Sequence, residues 1–161
     1  MLYLSIAILV ILFGYIIASI VKGKELPVSL SDTYYLWPKW VFPTVMAITG
    51  FGLLPCWLEI TKGHPLQFLV FLSCAGFLFV GASPNFRNDK LEHSVHVKAA
   101  YTAAFTAILA LSFIMYEWWY PFYVTALLFL IFFRNIKTHY IFLLEFAILE
   151  SVIGSVLCAL K

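Results

Sequence analysis

Six stretches almost free of charge divide this chain: residues 1–21, 40–58, 66–83, 99–116, 118–133 and 138–160. A hydrocarbon core of about 30 Å is crossed by an α-helix of about 20 apolar residues, and five of the six stretches reach that length comfortably. Runs of this length and spacing leave a soluble fold little room. The composition agrees, with 63% hydrophobic, 19% aromatic and only 11% charged residues against roughly 25% charged in soluble domains. We expect an all-α polytopic bundle of six transmembrane helices forming a single domain over residues 1–161, since no repeat, linker or low-complexity tract interrupts it.

The fifth run is the shortest and opens with Trp118, Trp119, Tyr120 and Pro121, the pattern of an aromatic interface belt followed by proline in a first helical turn. Basic residues argue that it spans. With six crossings, Lys22, Lys24, Lys39, Arg87, Lys90, Lys98, Arg134 and Lys137 share one side, against Lys62 and Lys161 on the other. Without the fifth crossing Arg134 and Lys137 change sides and the imbalance shrinks. The positive-inside rule therefore predicts six spans with both termini outside the cytoplasm. Met1-Leu2-Tyr3 lacks the positive n-region of a signal peptide, so the first run is expected to be retained. Cys56, Cys74 and Cys158 are scattered through apolar runs and predict neither disulfides nor a zinc knuckle. A net charge of +2 with no basic block argues against nucleic acid as a partner and leaves the lipid bilayer and a second copy of the chain as the expected ones. In the loop 22–39, Ser31 or Asp32 is placed to cap a short helix, with Tyr34, Tyr35, Trp37 and Trp40 at headgroup level on the membrane surface.

The stretch GASPNFRNDKLEHSVHVKAAY (residues 81–101) is a polar island carrying two of the four histidines. Ser83-Pro84-Asn85 reads as a turn, and Asp89-Lys90-Leu91-Glu92 has capping-box spacing with Asp in place of Ser or Thr. A helix starting near Lys90 places His93 and His96 on one face with Ala100, Ala103, Ala104 and Ala107, opposite Lys98 and Thr102. Small residues repeated in this way let another helix approach closely, so both histidines are expected to point at a neighbour. His139 opens the sixth run on the same side. His93, His96 and His139, with Asp32, Asp89, Glu92 and Glu145 nearby in topology, define a candidate site for a divalent metal that activates water, set against a simpler role as hydrogen-bonding residues at helix ends.

The phrases PVSLSDTYY, LQFLVFLSCAGFLFVGASPNF and HVKAAYTAAF are similar to segments of small uncharacterised polytopic membrane proteins of bacteria and their mobile elements. That resemblance covers roughly the first two thirds of the chain and implies a multi-pass protein of a bacterial cytoplasmic (inner) membrane. Asp89 followed by His93 also resembles the Asp-x-x-x-His element of alkaline ceramidase and progestin-receptor type membrane hydrolases. This second resemblance implies a metal-dependent hydrolase of lipids at the cytoplasmic interface. The late His-x-x-x-His pair of that family is represented here by His139 alone.

Glu145 and Glu150 lie inside the sixth run, where a charge costs about 2.5–3.5 kcal/mol even on insertion scales. Glu145 falls about 10 Å below the start of the run and Glu150 near mid-membrane, on faces about 140° apart. Glu150 has no basic residue at its depth and is expected to face the bundle interior. These two carboxylates are the candidate binding residues of a small transporter, channel or assembly subunit that handles a proton, cation or lipid.

Overall fold

The computed structural model describes residues 1–115, 131 and 138–160. They form five α-helices, α1 (Leu2–Gly23), α2 (Val41–Ile60), α3 (Phe68–Ala82), α4 (Lys90–Ile114) and α5 (Tyr140–Ala159), and a 3-10 helix, Ser31–Leu36. No strand occurs among the described residues. Four helices, α1, α2, α4 and α5, are long and apolar enough to cross a membrane, while α3 is apolar but has 15 residues. The described residues are thus all helical apart from their connections, and the chain is a membrane-embedded, multi-pass protein. All of the fifth apolar run except Ile131, together with Arg134 and Lys137, lies outside the described residues.

Local chemistry sets the helix ends. Helix α1 stops where Lys24 turns left-handed, at φ 60°, which breaks the ladder of backbone bonds. Helix α4 begins at the predicted cap: the Asp89 carboxylate accepts from the Glu92 N–H at 2.8 Å. The reciprocal half of the box is redirected, because Glu92 Oε2 accepts from the Asn85 N–H at 2.8 Å. The cap therefore also fixes the preceding turn.

Helix α2 packs between α1 and α3, and α3 lies most closely on α4. The α3–α4 contact is backbone to backbone. A Cβ added at Gly76 would stand 2.8 Å from both the Ala99 carbonyl oxygen and the Ala103 nitrogen, and Ser73 Oγ donates to the Ala103 carbonyl at 3.0 Å. The alanine face of α4 meets a neighbour as the small-residue pattern predicts. Phe42, Met46 and Trp57 of α2 and Ile153 of α5 are fully buried at the centre, whereas Phe51, Phe71, Phe79, Phe105 and Phe113 are exposed. Such an apolar exterior is the surface of a protein dissolved in lipid.

Candidate functional site: a polar segment beside an apolar cavity

One end of the bundle is organised by the segment between α1 and α2. Rather than resting on the surface, as its composition suggests, this segment folds inward. Ser31, Thr33 and Tyr34 are buried, while Trp40 is 68% exposed and Tyr35 is on the exposed side. The inward turn follows from the number of polar partners that the helices offer. Tyr15 Oη and Thr33 Oγ1 share a bond of 2.6 Å, and Trp37 Nε1 donates to Ser19 Oγ at 2.9 Å. From α5, Glu145 Oε2 accepts from the Leu30 N–H at 2.6 Å and the Phe142 N–H donates to the Val28 carbonyl at 3.1 Å. Arg87 pairs with Asp32 at 2.6 Å and lies 5.0 Å above the Tyr35 ring. Polar groups that leave water must find partners, and here the side chains of Tyr15, Ser19, Arg87 and Glu145 and the main chain of Phe142 supply them.

His96 is the buried hinge-pin of this arrangement, 5% exposed. Its Nδ1 lies 2.9 Å from the Ser83 carbonyl and its Nε2 lies 2.8 Å from Ser31 Oγ. A carbonyl only accepts, so Nδ1 carries the proton and the neutral ring accepts from Ser31 through Nε2. Phe86 stacks on the imidazole with centroids 4.4 Å apart and planes 18° apart. Ser83 and Phe86 belong to GASPNF, so that motif serves to orient the histidine.

The three histidines are at this end but do not converge. His139, at the start of α5, uses Nδ1 on the Pro27 carbonyl at 3.1 Å. His93 is exposed, contrary to the expectation that it faces a neighbouring helix with His96. The connection after α3 covers the His96 face through Ser83 and Phe86 and leaves His93 outside. Among the described residues no three of His, Cys, Asp and Glu are placed to hold a metal ion. A metal at His96 Nε2 would have to displace Ser31.

Behind the segment lies a cavity of about 100 Å³ between α2, α3, α4 and α5. Its walls are mostly apolar: Met46, Phe77 and the stripe Ala100, Ala103, Ala104 and Ala107. Leu30, Ser31 and Glu145 line it as well, so the 3-10 segment and the carboxylate meet at one side of the space. Glu145 makes its one hydrogen bond among the described residues through Oε2. Glu150 does not line this cavity; it is partly buried and makes no hydrogen bond or ion pair with a described residue. The two glutamates are on different faces of α5, as the helical count requires.

Sequence reasoning placed His96, Glu145 and the alanine stripe, and missed that Ser83, Phe86, Tyr15 and Ser19 serve the same site. A signal was present for the last two: a tyrosine and a serine one turn apart in an otherwise apolar first helix need an internal polar partner. The fold and site together define a multi-pass helix bundle with a mostly apolar cavity that an inward-folded polar segment borders on one side. No family model, curated protein or solved structure matches the chain.

Proposed function

We propose that this is a six-span protein of the bacterial cytoplasmic membrane, with both termini outside, that holds the apolar part of a lipid-like amphiphile in the Glu145 cavity. The observation that carries this reading is a carboxylate lining a mostly apolar space. A bare cation entering there would exchange its hydration shell for one carboxylate and alkyl walls, a poor trade in a low-dielectric interior. The two cavity hydroxyls offer little help, because Ser73 donates to Ala103 and Ser31 is engaged with His96. An alkyl segment fills such walls at no polar cost, and a single ammonium or hydroxyl on it satisfies Glu145. The volume suits a short stretch of chain, so the protein is a binder, carrier or assembly subunit for the amphiphile rather than a wide pore.

Binding of dodecylammonium, dodecanol and dodecanoate to the purified protein tests this. The expected order is ammonium, then alcohol, then carboxylate. Glu145→Gln is expected to remove about tenfold or more of the ammonium preference, the size of one charge-assisted bond of about 1.5–3 kcal/mol. Equal binding of all three by the wild type would refute the assignment. The topology has its own measurement: cysteines placed at Lys24, Asn88 and Lys137 are expected to be labelled only from the cytoplasmic side, and one at Lys62 only from outside. Labelling of position 137 from outside would remove the fifth crossing.

A further inference from the structure

We propose that Ser31 is a nucleophile activated by His96, and that the cavity presents the acyl chain of a lipid ester to it. This inference rests on the amphiphile-binding reading of the cavity and adds a reaction to it. Three features carry it. Ser31 lines the cavity and its Oγ is 2.8 Å from His96 Nε2, within the reach required of a nucleophile and its general base. The base is held in the needed tautomer, since the Ser83 carbonyl 2.9 Å from Nδ1 fixes the proton there and leaves the Nε2 lone pair directed at the hydroxyl. The ring cannot turn away, because Phe86 covers its face at 4.4 Å. A nucleophile, a base and a group that orients the base are the parts that recur in unrelated acyl-transfer sites.

A merely structural Ser–His contact needs neither a preset tautomer nor an apolar cavity beside the serine. In the proposed step Ser31 Oγ attacks the carbonyl carbon of the ester and its proton passes to His96 Nε2. The bond from that carbon to the alkoxy oxygen breaks, and the departing oxygen takes the proton from Nε2. Water then attacks the acyl-Ser31 ester with His96 as base, releasing the fatty acid and restoring the hydroxyl. Ser31 and His96 are the catalytic residues, while Ser83 and Phe86 are positioning residues. Glu145, bonded to the backbone of the residue before Ser31, is placed to accept a hydrogen bond from a hydroxyl or ammonium on the substrate's polar part.

The test uses the whole protein in native membranes and in mild detergent with dodecyl fluorophosphonate. Attack by Ser31 forms an oxygen–phosphorus bond, expels fluoride and leaves an adduct that peptide mass spectrometry maps. Modification of Ser31 in the wild type is expected, slowed about a hundredfold or more in His96→Gln, the usual contribution of a general base. Where the glutamine variant does not fold, His96→Asn replaces it. An unmodified Ser31 in folded wild type overturns the proposal, and so does modification at the same rate in a folded His96 variant. Dodecylammonium binding without Ser31 modification removes this inference and leaves the cavity assignment standing. Loss of both removes both.

Discussion

Gly76→Val is expected to prevent the protein from being recovered as a single folded species in mild detergent, and Gly76→Ala to lower its melting temperature. A β-carbon at this position stands 2.8 Å from two main-chain atoms of α4, and main chain cannot rotate aside as a side-chain tip does. Helices α3 and α4 must separate, at a cost of about 1–3 kcal/mol for a single added methyl and more for a branched side chain. Separation also stretches the Ser73–Ala103 bond, worth about 1 kcal/mol. Against a total of about 5–15 kcal/mol the valine variant loses much of the margin. Gly14→Val is the control, because a β-carbon there has nothing within 4 Å. Equal melting of the two valine variants would show that the α3–α4 contact is not as close as described.

His96→Ala is expected to destabilise the bundle by about 3–5 kcal/mol, the range of mutations that both open a cavity and orphan buried polar groups. The Ser83 carbonyl and the Ser31 hydroxyl each lose their partner, at about 1–3 kcal/mol for a buried group left unpaired. Phe86 loses a stacked ring, about 0.5–1.5 kcal/mol. His93→Ala, at an exposed position three residues earlier, is expected to change stability by less than about 0.5 kcal/mol. Thermal unfolding followed by circular dichroism measures both. Comparable losses at the two positions would contradict the assignment of His96 as the buried partner of the segment.

The helices and the face of α4 were legible because membrane helices announce themselves through length and small-residue spacing. Asp89 as a cap was legible from four residues of local sequence, Asp89 to Glu92. The partner of Glu145 was not, because it is a backbone N–H, at Leu30, and main chain has no sequence signature. The inward fold of the segment was hidden for a related reason: SDTYYLW reads as interfacial by composition, and its burial depends on Tyr15, Ser19, His96 and Glu145 arriving from three helices. His93 and His96 are a similar lesson. Helical periodicity put them on one side of α4, but which of them is covered was decided by the connection from α3, whose path follows from the turn at Ser83 and the stack of Phe86 on His96.

The wiring of that segment also fixes an order of assembly. Pro27, Val28 and Leu30 emerge early from the ribosome, yet the partners of their main-chain groups, the His139 and Glu145 side chains and the Phe142 N–H, follow more than a hundred residues later. Until α5 is inserted, three polar groups of the peptide main chain must remain with water or headgroups, and the cavity has no closing wall on that side. Pairing of residues 27–30 is therefore a report that α5 is in place. A chain interrupted before Tyr140 would still hold Ser31, Thr33 and Trp37 through His96, Tyr15 and Ser19, but would leave the backbone groups of Pro27, Val28 and Leu30 unpaired, so the entry to the segment is the last part to close.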